Sequence, residues 1–306
     1  MADLRAWIHA LRPRTLPLAL CSILVGVALA GFSARSSGAR MSWSVTVLTF
    51  LTAALLQVLS NIANDLGDHQ HGTDGAGRIG PTRAVQSGAI SVRSMQQAIW
   101  LVGLLAFITG CALIVLALGL SIKTLVFLVL GLLAIAAAVR YTYGATPYGY
   151  HGLGDASVFL FFGPLAVLGT FYLHLQSFWY PAVLPALGVG ALATAVLNTN
   201  NLRDIGNDAA HGKRTLAVRL GAARAKTYHA MLIVVGLLGF TSFTFIEFRN
   251  MSQWAFLLGM PILATQLKQV MNNMDPRTLD KELPRLVLGT LLTTVAFSLG
   301  LWKSWN

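Results

Sequence analysis

Acidic residues are scarce in this chain: eleven Asp and Glu stand against 22 Lys and Arg in 306 residues, and charged side chains make up only 11%. A soluble domain carries about a quarter. With 55% apolar residues and a mean hydropathy of +0.65, so low a charge fraction excludes an ordinary water-soluble globule and points to a polytopic membrane protein. Long polar stretches are missing as well. Apolar runs recur from residue 16 to residue 302 with no insert large enough for a soluble domain, so one membrane domain over residues 1–306 is expected. Cysteine is limited to Cys21 and Cys111, each inside a separate apolar run, where a thiol packs as a small hydrophobe and a disulfide framework has no logic. A small-residue cleavage site is absent after the basic N-terminus, so the first apolar run is expected to remain as a membrane helix. The formal charge of +11 does not call for nucleic acid. The basic residues flank membrane-length helices, where anionic lipids and an anionic substrate headgroup account for them.

A helix needs about 20 apolar residues to cross the hydrocarbon. On that ruler the chain is all-α, a single bundle of nine transmembrane helices at residues 16–32, 43–62, 97–118, 121–140, 156–175, 181–200, 228–246, 253–270 and 285–302. Before the first, Leu4, Trp7, Ile8 and Leu11 recur at helical spacing beside Arg5, His9 and Arg12, the pattern of a short helix lying in the interface. Seventeen of the 22 Lys and Arg fall on the N-terminal side of these spans and five on the other: Arg35, Arg40, Lys123, Arg249 and Lys303. By the positive-inside rule the N-terminus faces the cytoplasm and the C-terminus the opposite side, the periplasm of a bacterial inner membrane.

Five of the eleven acids fall in two short segments on the cytoplasmic side, Asn64-Asp65-Leu-Gly-Asp68 continued by Asp74, and Asp204-Ile-Gly-Asn-Asp208. They follow the second and sixth spans. Asn61, Asn64 and Asp68 correspond to Asn198, Asn201 and Asp204, a weak internal repeat. Residues three and four apart share a helix face, so Gln57, Asn61, Asn64, Asp65 and Asp68 line one stripe, and Asn198, Asn201, Asp204 and Asp208 another. Such stripes face a cavity or each other, since turning them to lipid is costly. Carboxylates at this spacing repel unless a cation stands between them. Mg²⁺ takes oxygen ligands of this kind together with phosphate oxygens, and Arg78, Arg83, Lys213 and Arg214 stand close by for the remaining anionic oxygens. Carboxylates, Mg²⁺ and bases at the mouth of a membrane cavity make a site for the diphosphate of a prenyl chain.

At these residues the chain resembles the UbiA-type intramembrane prenyltransferases, whose two Asp-rich motifs follow the second and sixth of nine helices. The resemblance implies that Asp65, Asp68, Asp204 and Asp208, with Asp74, hold the Mg²⁺-diphosphate, and that Asn64 and Asn201 help to bind substrate. Three stretches, Arg12-Pro-Arg14-Thr-Leu-Pro17, Asp74 through Arg78-Ile-Gly-Pro81, and Pro147-Tyr-Gly-Tyr-His-Gly-Leu-Gly-Asp155, are most similar to members that act on 1,4-dihydroxy-2-naphthoate. They imply transfer of the polyprenyl group of polyprenyl diphosphate to that ring with loss of CO2, giving demethylmenaquinone. Oligomeric state is left open.

Around this frame Tyr141, Tyr143, Tyr148 and Tyr150 cluster after the fourth span. Aromatic faces stabilise a developing cation, and tyrosines also gather at membrane interfaces. Tyr141 and Tyr143 are the expected site members, with Tyr148 near substrate. Arg140 and Arg14 are expected on an anionic group of either substrate, with snorkelling to headgroups as the alternative, and Asp155 on the acceptor or the metal. His69, His71 and His211 neighbour the acids, but a set dominated by Asp and Asn is not a zinc site. Two other readings compete: the same chemistry on another acceptor such as 4-hydroxybenzoate, and a cation-coupled transporter. The second places ionisable residues near the midplane in broken helices, whereas these acids end helices on one side.

Overall fold

The computed structural model describes residues 3–13, 15–73, 79 and 82–304, and among these every regular element is helical. Asp3 caps α1, Leu4–Leu11, through a side chain that accepts from the Arg5 N–H. The expected apolar face of α1 divides. Trp7 and Leu11 pack with Ala10 against the bundle, while Leu4 and Ile8 stay exposed, so α1 is docked and presents a second apolar edge outward. Arg12, in a left-handed conformation, ends it.

The long helices follow: α2 (Leu16–Ser37), α3 (Trp43–Gln70), α4 (Val92–Leu118) and α5 (Ile122–Arg140). Ser42, Ser91 and Ser121 cap α3, α4 and α5 by accepting from backbone N–H groups of the first turn, which satisfies donors that the membrane cannot. The fifth crossing is composite: α6 (Gly154–Leu160) passes through a π turn, Phe161–Leu165, into α7 (Ala166–Leu175). Pro164 inside that turn has no N–H to continue the ladder. Then come α8 (Val183–Arg203), α9 (Ile205–Ala210) and α10 (Leu216–Ile246), the last bent at Gly221, whose φ of 74° suits glycine. Finally α11 (Met260–Asn272) and α12 (Glu282–Lys303) complete the chain.

Eight helices among the described residues are long and apolar enough to cross a membrane, which makes this a multi-pass membrane protein. The expected span at 253–270 falls within a continuous helical stretch, a 3-10 segment, Met251–Gly259, that runs straight into the shorter α11. Gly259 lies against Thr293 and the Gly289 carbonyl of α12, so this segment is pressed onto its neighbour without room for a side chain.

The main core joins α2, α7, α8, α10 and α12. Phe32, Phe171, Trp179, Phe240, Phe243, Phe256 and Phe297 pack there, some stacked and some edge-on, with centroids mostly about 5–6 Å apart, a range typical of favourable aromatic pairs. At that end of the bundle Arg35 of α2 donates to the Trp302 carbonyl of α12 at 3.0 Å. A second core joins α1, α3, α4 and residues 84–90 at the opposite end, where both acidic motifs lie.

α3 continues to Gln70, eight residues past the expected end, which puts Asp65 and Asp68 on the helix itself. Its last turns lean on the turn after α5: Gly67 lies directly against the backbone carbonyl of Thr142. Gly67→Ala is expected to cost about 1–3 kcal/mol through overpacking and to move the two acids, seen as a lower thermal midpoint together with reduced activity. Unchanged values for both would show that the contact yields freely.

Candidate active site

Asp68 is the hub. Buried at 6% exposure, its Oδ1 accepts from the Tyr150 hydroxyl at 3.0 Å and lies 3.4 Å from Lys213 Nζ; its Oδ2 is 3.8 Å from Arg83 Nη2. Lys213 also lies 4.0 Å from Asp208 Oδ1. One ammonium therefore stands between the two motifs, and it also sits over the Tyr150 ring, 5.1 Å from the centroid. A second tie joins the motifs, because Asn207 Nδ2 donates to the Thr73 carbonyl at 2.9 Å.

Burial pushes the Asp208 carboxyl up to about 7, with Lys213 pulling down and Asp204 and Asp68 pushing up. Burial works against the Lys213 ammonium, but Asp68 and Asp208 outweigh it and hold its pKa above the ordinary value. The phenol of Tyr150 is raised by burial and by Asp68, that of Tyr141 by burial and by Asp155, and that of Tyr148 by burial. All three remain protonated donors at neutral pH.

The two expected polar stripes each divide. Their inner ends tie helices together: Asn61 Nδ2 donates to the Leu11 carbonyl at 2.9 Å and to Thr15 Oγ1 at 3.0 Å, and Asn198 Nδ2 donates to the Ala225 carbonyl at 3.0 Å. Their outer ends form the site. Asn64 Oδ1 accepts from Thr142 Oγ1 at 2.9 Å; Asp65 Oδ2 accepts from the Ala84 N–H at 3.2 Å. Asn201 is buried on α8. Asp204 differs most from expectation, since it is already paired. Arg203 holds it side-on, Nε to Oδ1 at 2.9 Å and Nη2 to Oδ2 at 2.6 Å.

Tyr141 lies at the centre of the remaining cluster. Cβ atoms at Gly149 and Gly154 would lie within 2.7 Å of its carbonyl and hydroxyl oxygens, so those two glycines give it room. Its ring meets Tyr148 edge-on at 5.4 Å. Asp155, at the start of α6 and 4% exposed, has an Oδ1 without a hydrogen-bond partner among the described residues, and the Tyr228 hydroxyl of α10 lies against it. Tyr148 is a strut, its hydroxyl donating to the Ala137 carbonyl and meeting Ser157 Oγ, both at 3.0 Å. Tyr143 turns away to pack with the α3–α4 core, and Arg140 is exposed in the last turn of α5. Asp74, Arg78 and Arg14 lie outside the described residues. The sequence ranking passed over Tyr150, although it stands in the same Pro147–Asp155 stretch, and Arg203, although it precedes Asp204.

The donors are carboxylate and amide oxygens, which suits a hard dication such as Mg²⁺. Among the described residues no three His, Cys, Asp or Glu side chains form a metal-holding group; cationic side chains stand between the carboxylates. Asp65, Asp68 and Asp208 fit the cation by chemistry and burial. Two of the histidines meet backbone carbonyls: His71, whose ring also packs 4.9 Å from that of Tyr150, meets the Gly144 carbonyl at 2.9 Å, and His211 the Asn207 carbonyl at 2.8 Å.

The two acidic motifs of this helical membrane bundle thus meet on one lysine beside Tyr150. Residues 20–303 match the UbiA prenyltransferase family, and the chain belongs to that family. It is 44% identical over 300 residues to the 1,4-dihydroxy-2-naphthoate octaprenyltransferase of Escherichia coli K12, covering 98% of this chain and 96% of the other. It is 46% identical over 298 residues to the enzyme of the same name from Haemophilus influenzae, covering 97% and 96%. The fold is also similar to a UbiA homolog from Aeropyrum pernix, with a TM-score of 0.69 at 16% identity over 96% of this chain and 99% of that one. A UbiA homolog from Archaeoglobus fulgidus bound to DMAPP and Mg²⁺ aligns with a TM-score of 0.60 at 18% identity, over 95% and 99%.

Proposed function

We propose that the chain transfers a polyprenyl group from polyprenyl diphosphate to 1,4-dihydroxy-2-naphthoate with loss of CO2, a step of menaquinone biosynthesis, as a single domain in a bacterial inner membrane. The near full-length identity to two enzymes of that name supports the reaction. The observation that carries the site is the meeting of Asp68 and Asp208, from separate motifs, at Lys213.

Asp65, Asp68 and Asp208 are the residues that would hold Mg²⁺, with Asp204 and Asp74 completing the set, and Asn64 and Asn201 beside them. Bound Mg²⁺ supplies charge neutralisation for the departing diphosphate. Lys213 and Arg83, both partly buried against Asp68, would serve the diphosphate oxygens once the carboxylates held Mg²⁺, and Arg78, five positions before Arg83 in the sequence, would join them. The protonated Tyr150 hydroxyl keeps Asp68 oriented. Tyr141 presents a ring where allylic positive charge develops. Asp155, with one oxygen free to accept, orients a hydroxyl of the naphthoate. The surrounding apolar helices keep water from the allylic cation.

The allylic C–O bond breaks, a ring carbon forms the new C–C bond, and the ring carboxyl leaves as CO2. No electrons are lost in these steps. The immediate product is therefore the hydroquinone, and the demethylmenaquinone expected above arises from it by a separate two-electron oxidation.

The active site and N-terminus face the cytoplasm, and the C-terminus the periplasm. The charge asymmetry supports this, with only Arg35, Arg40, Lys123, Arg249 and Lys303 at the other end.

The test is purified protein in detergent with 1,4-dihydroxy-2-naphthoate, a polyprenyl diphosphate and Mg²⁺, with and without EDTA, following prenylated product and CO2. Product that requires Mg²⁺ is expected. Product only with 4-hydroxybenzoate would overturn the acceptor, and no product with either would overturn the reaction.

A further inference from the structure

Arg203 is 4% exposed, and its guanidinium is shared three ways. Besides the side-on pair with Asp204, Nη2 donates to Asn200 Oδ1 at 2.7 Å and Nη1 to Asp280 Oδ1 at 2.7 Å. Asp280 comes from far along the chain, on the 3-10 turn Pro276–Lys281 that leads into α12. That turn is pinned. Leu279 is buried with Leu202, Ala217, Ala225 and Val270, so the Asp280 carboxylate is delivered to Arg203 by a packed element.

A carboxylate held side-on by a guanidinium has both oxygens engaged. Those two bonds use one lone pair on each Asp204 oxygen and offset its charge; were Asp204 to give that charge to a metal instead, the buried Arg203 would need another counter-ion, since an unpaired buried charge is a costly state. Asp280 supplies the second carboxylate. It keeps Arg203 paired, on the Nη1 edge that Asp204 does not use, so that the exchange of Asp204 from guanidinium to metal leaves no orphaned charge.

We propose that Asp280 is a positioning residue: by holding Arg203 through Nη1 it releases Asp204 for the metal–diphosphate complex and couples the turn before α12 to that site. This inference rests on the metal–diphosphate reading above.

The experiment measures Mn²⁺ uptake, in place of Mg²⁺, by the purified full-length protein with inorganic diphosphate, reading free Mn²⁺ by electron paramagnetic resonance. The proteins are wild type, Asp280→Asn, Asp280→Glu, Arg203→Gln and the Arg203→Gln/Asp280→Asn double variant. Asp280→Asn is expected to weaken uptake about tenfold, the lower bound for losing an outer partner of a metal ligand, and Asp280→Glu to restore it. In the Arg203→Gln background the same change should have no further effect, because Asp280 acts through Arg203. Wild-type affinity in Asp280→Asn would overturn the proposal. So would an equal loss in both backgrounds, which is what simple damage to the turn produces. Failure of wild type to take up Mn²⁺ overturns the metal reading itself, and is separable because it appears before any substitution is made.

Discussion

Asp68→Asn is expected to lower prenyl transfer by about 10²–10³, the range seen when one preorganised electrostatic contact is removed from an active site. Asparagine keeps the shape of the side chain, and its amide oxygen still accepts from the Tyr150 hydroxyl that lies 3.0 Å away. What it lacks is charge. Without that charge the Lys213 ammonium and the Arg83 guanidinium lose a shared counter-ion, and a bound dication loses a ligand. The loss should appear mainly in kcat at saturating prenyl diphosphate, with the metal concentration for half-maximal rate increased. Thermal unfolding measured alongside separates this from misfolding. A variant that turns over within twofold of wild type at ordinary Mg²⁺ would remove Asp68 from the machinery.

The helical spans were readable because hydropathy is a sum over some twenty residues, and single exceptions barely move it. Ends were not. α3 was expected to stop near residue 62, where hydropathy falls, yet it continues to Gln70 because Asn61, Asn64, Asp65 and Asp68 each find a partner in the folded chain. The pairing of the motifs was legible from their spacing. Their inner asparagines were not distinguishable from ligands, since Asn61 and Asn198 reach carbonyls that only tertiary packing brings near. The tyrosines illustrate the same limit. Tyr143 and Tyr150 stand on either side of one turn, and the backbone path after Arg140 sends the first to the α4 core and the second to Asp68. Asp204 was legible as an acid of the right motif, but its guanidinium partner is set by its neighbour Arg203 and by an aspartate 76 residues further on.

Lys213→Met is expected to cost activity about 10²-fold and stability as well. Lys213 is the cation that Asp68 and Asp208 share, and breaking a buried pair by removing one partner typically costs about 3–5 kcal/mol. Asp68 retains Arg83 and Tyr150, so most of the damage falls on Asp208. Burial already pushes that carboxyl up to about 7 while Lys213 pulls it down. Removing the ammonium takes away the lowering influence, the pKa rises further, and at neutral pH Asp208 carries a proton that a metal must displace. An acid with a raised pKa is ionised only above it, so the ascending limb of the variant's pH–rate profile should move to higher pH than that of wild type. Added Mg²⁺ should also raise the variant's thermal midpoint more than it raises that of wild type, because the dication then stands where the ammonium stood. Lys213→Arg, which keeps the charge, should recover most of the stability. An ascending limb that stays in place, or equal stabilisation of both proteins by Mg²⁺, would show that Lys213 and the metal do not answer to the same pair of carboxylates.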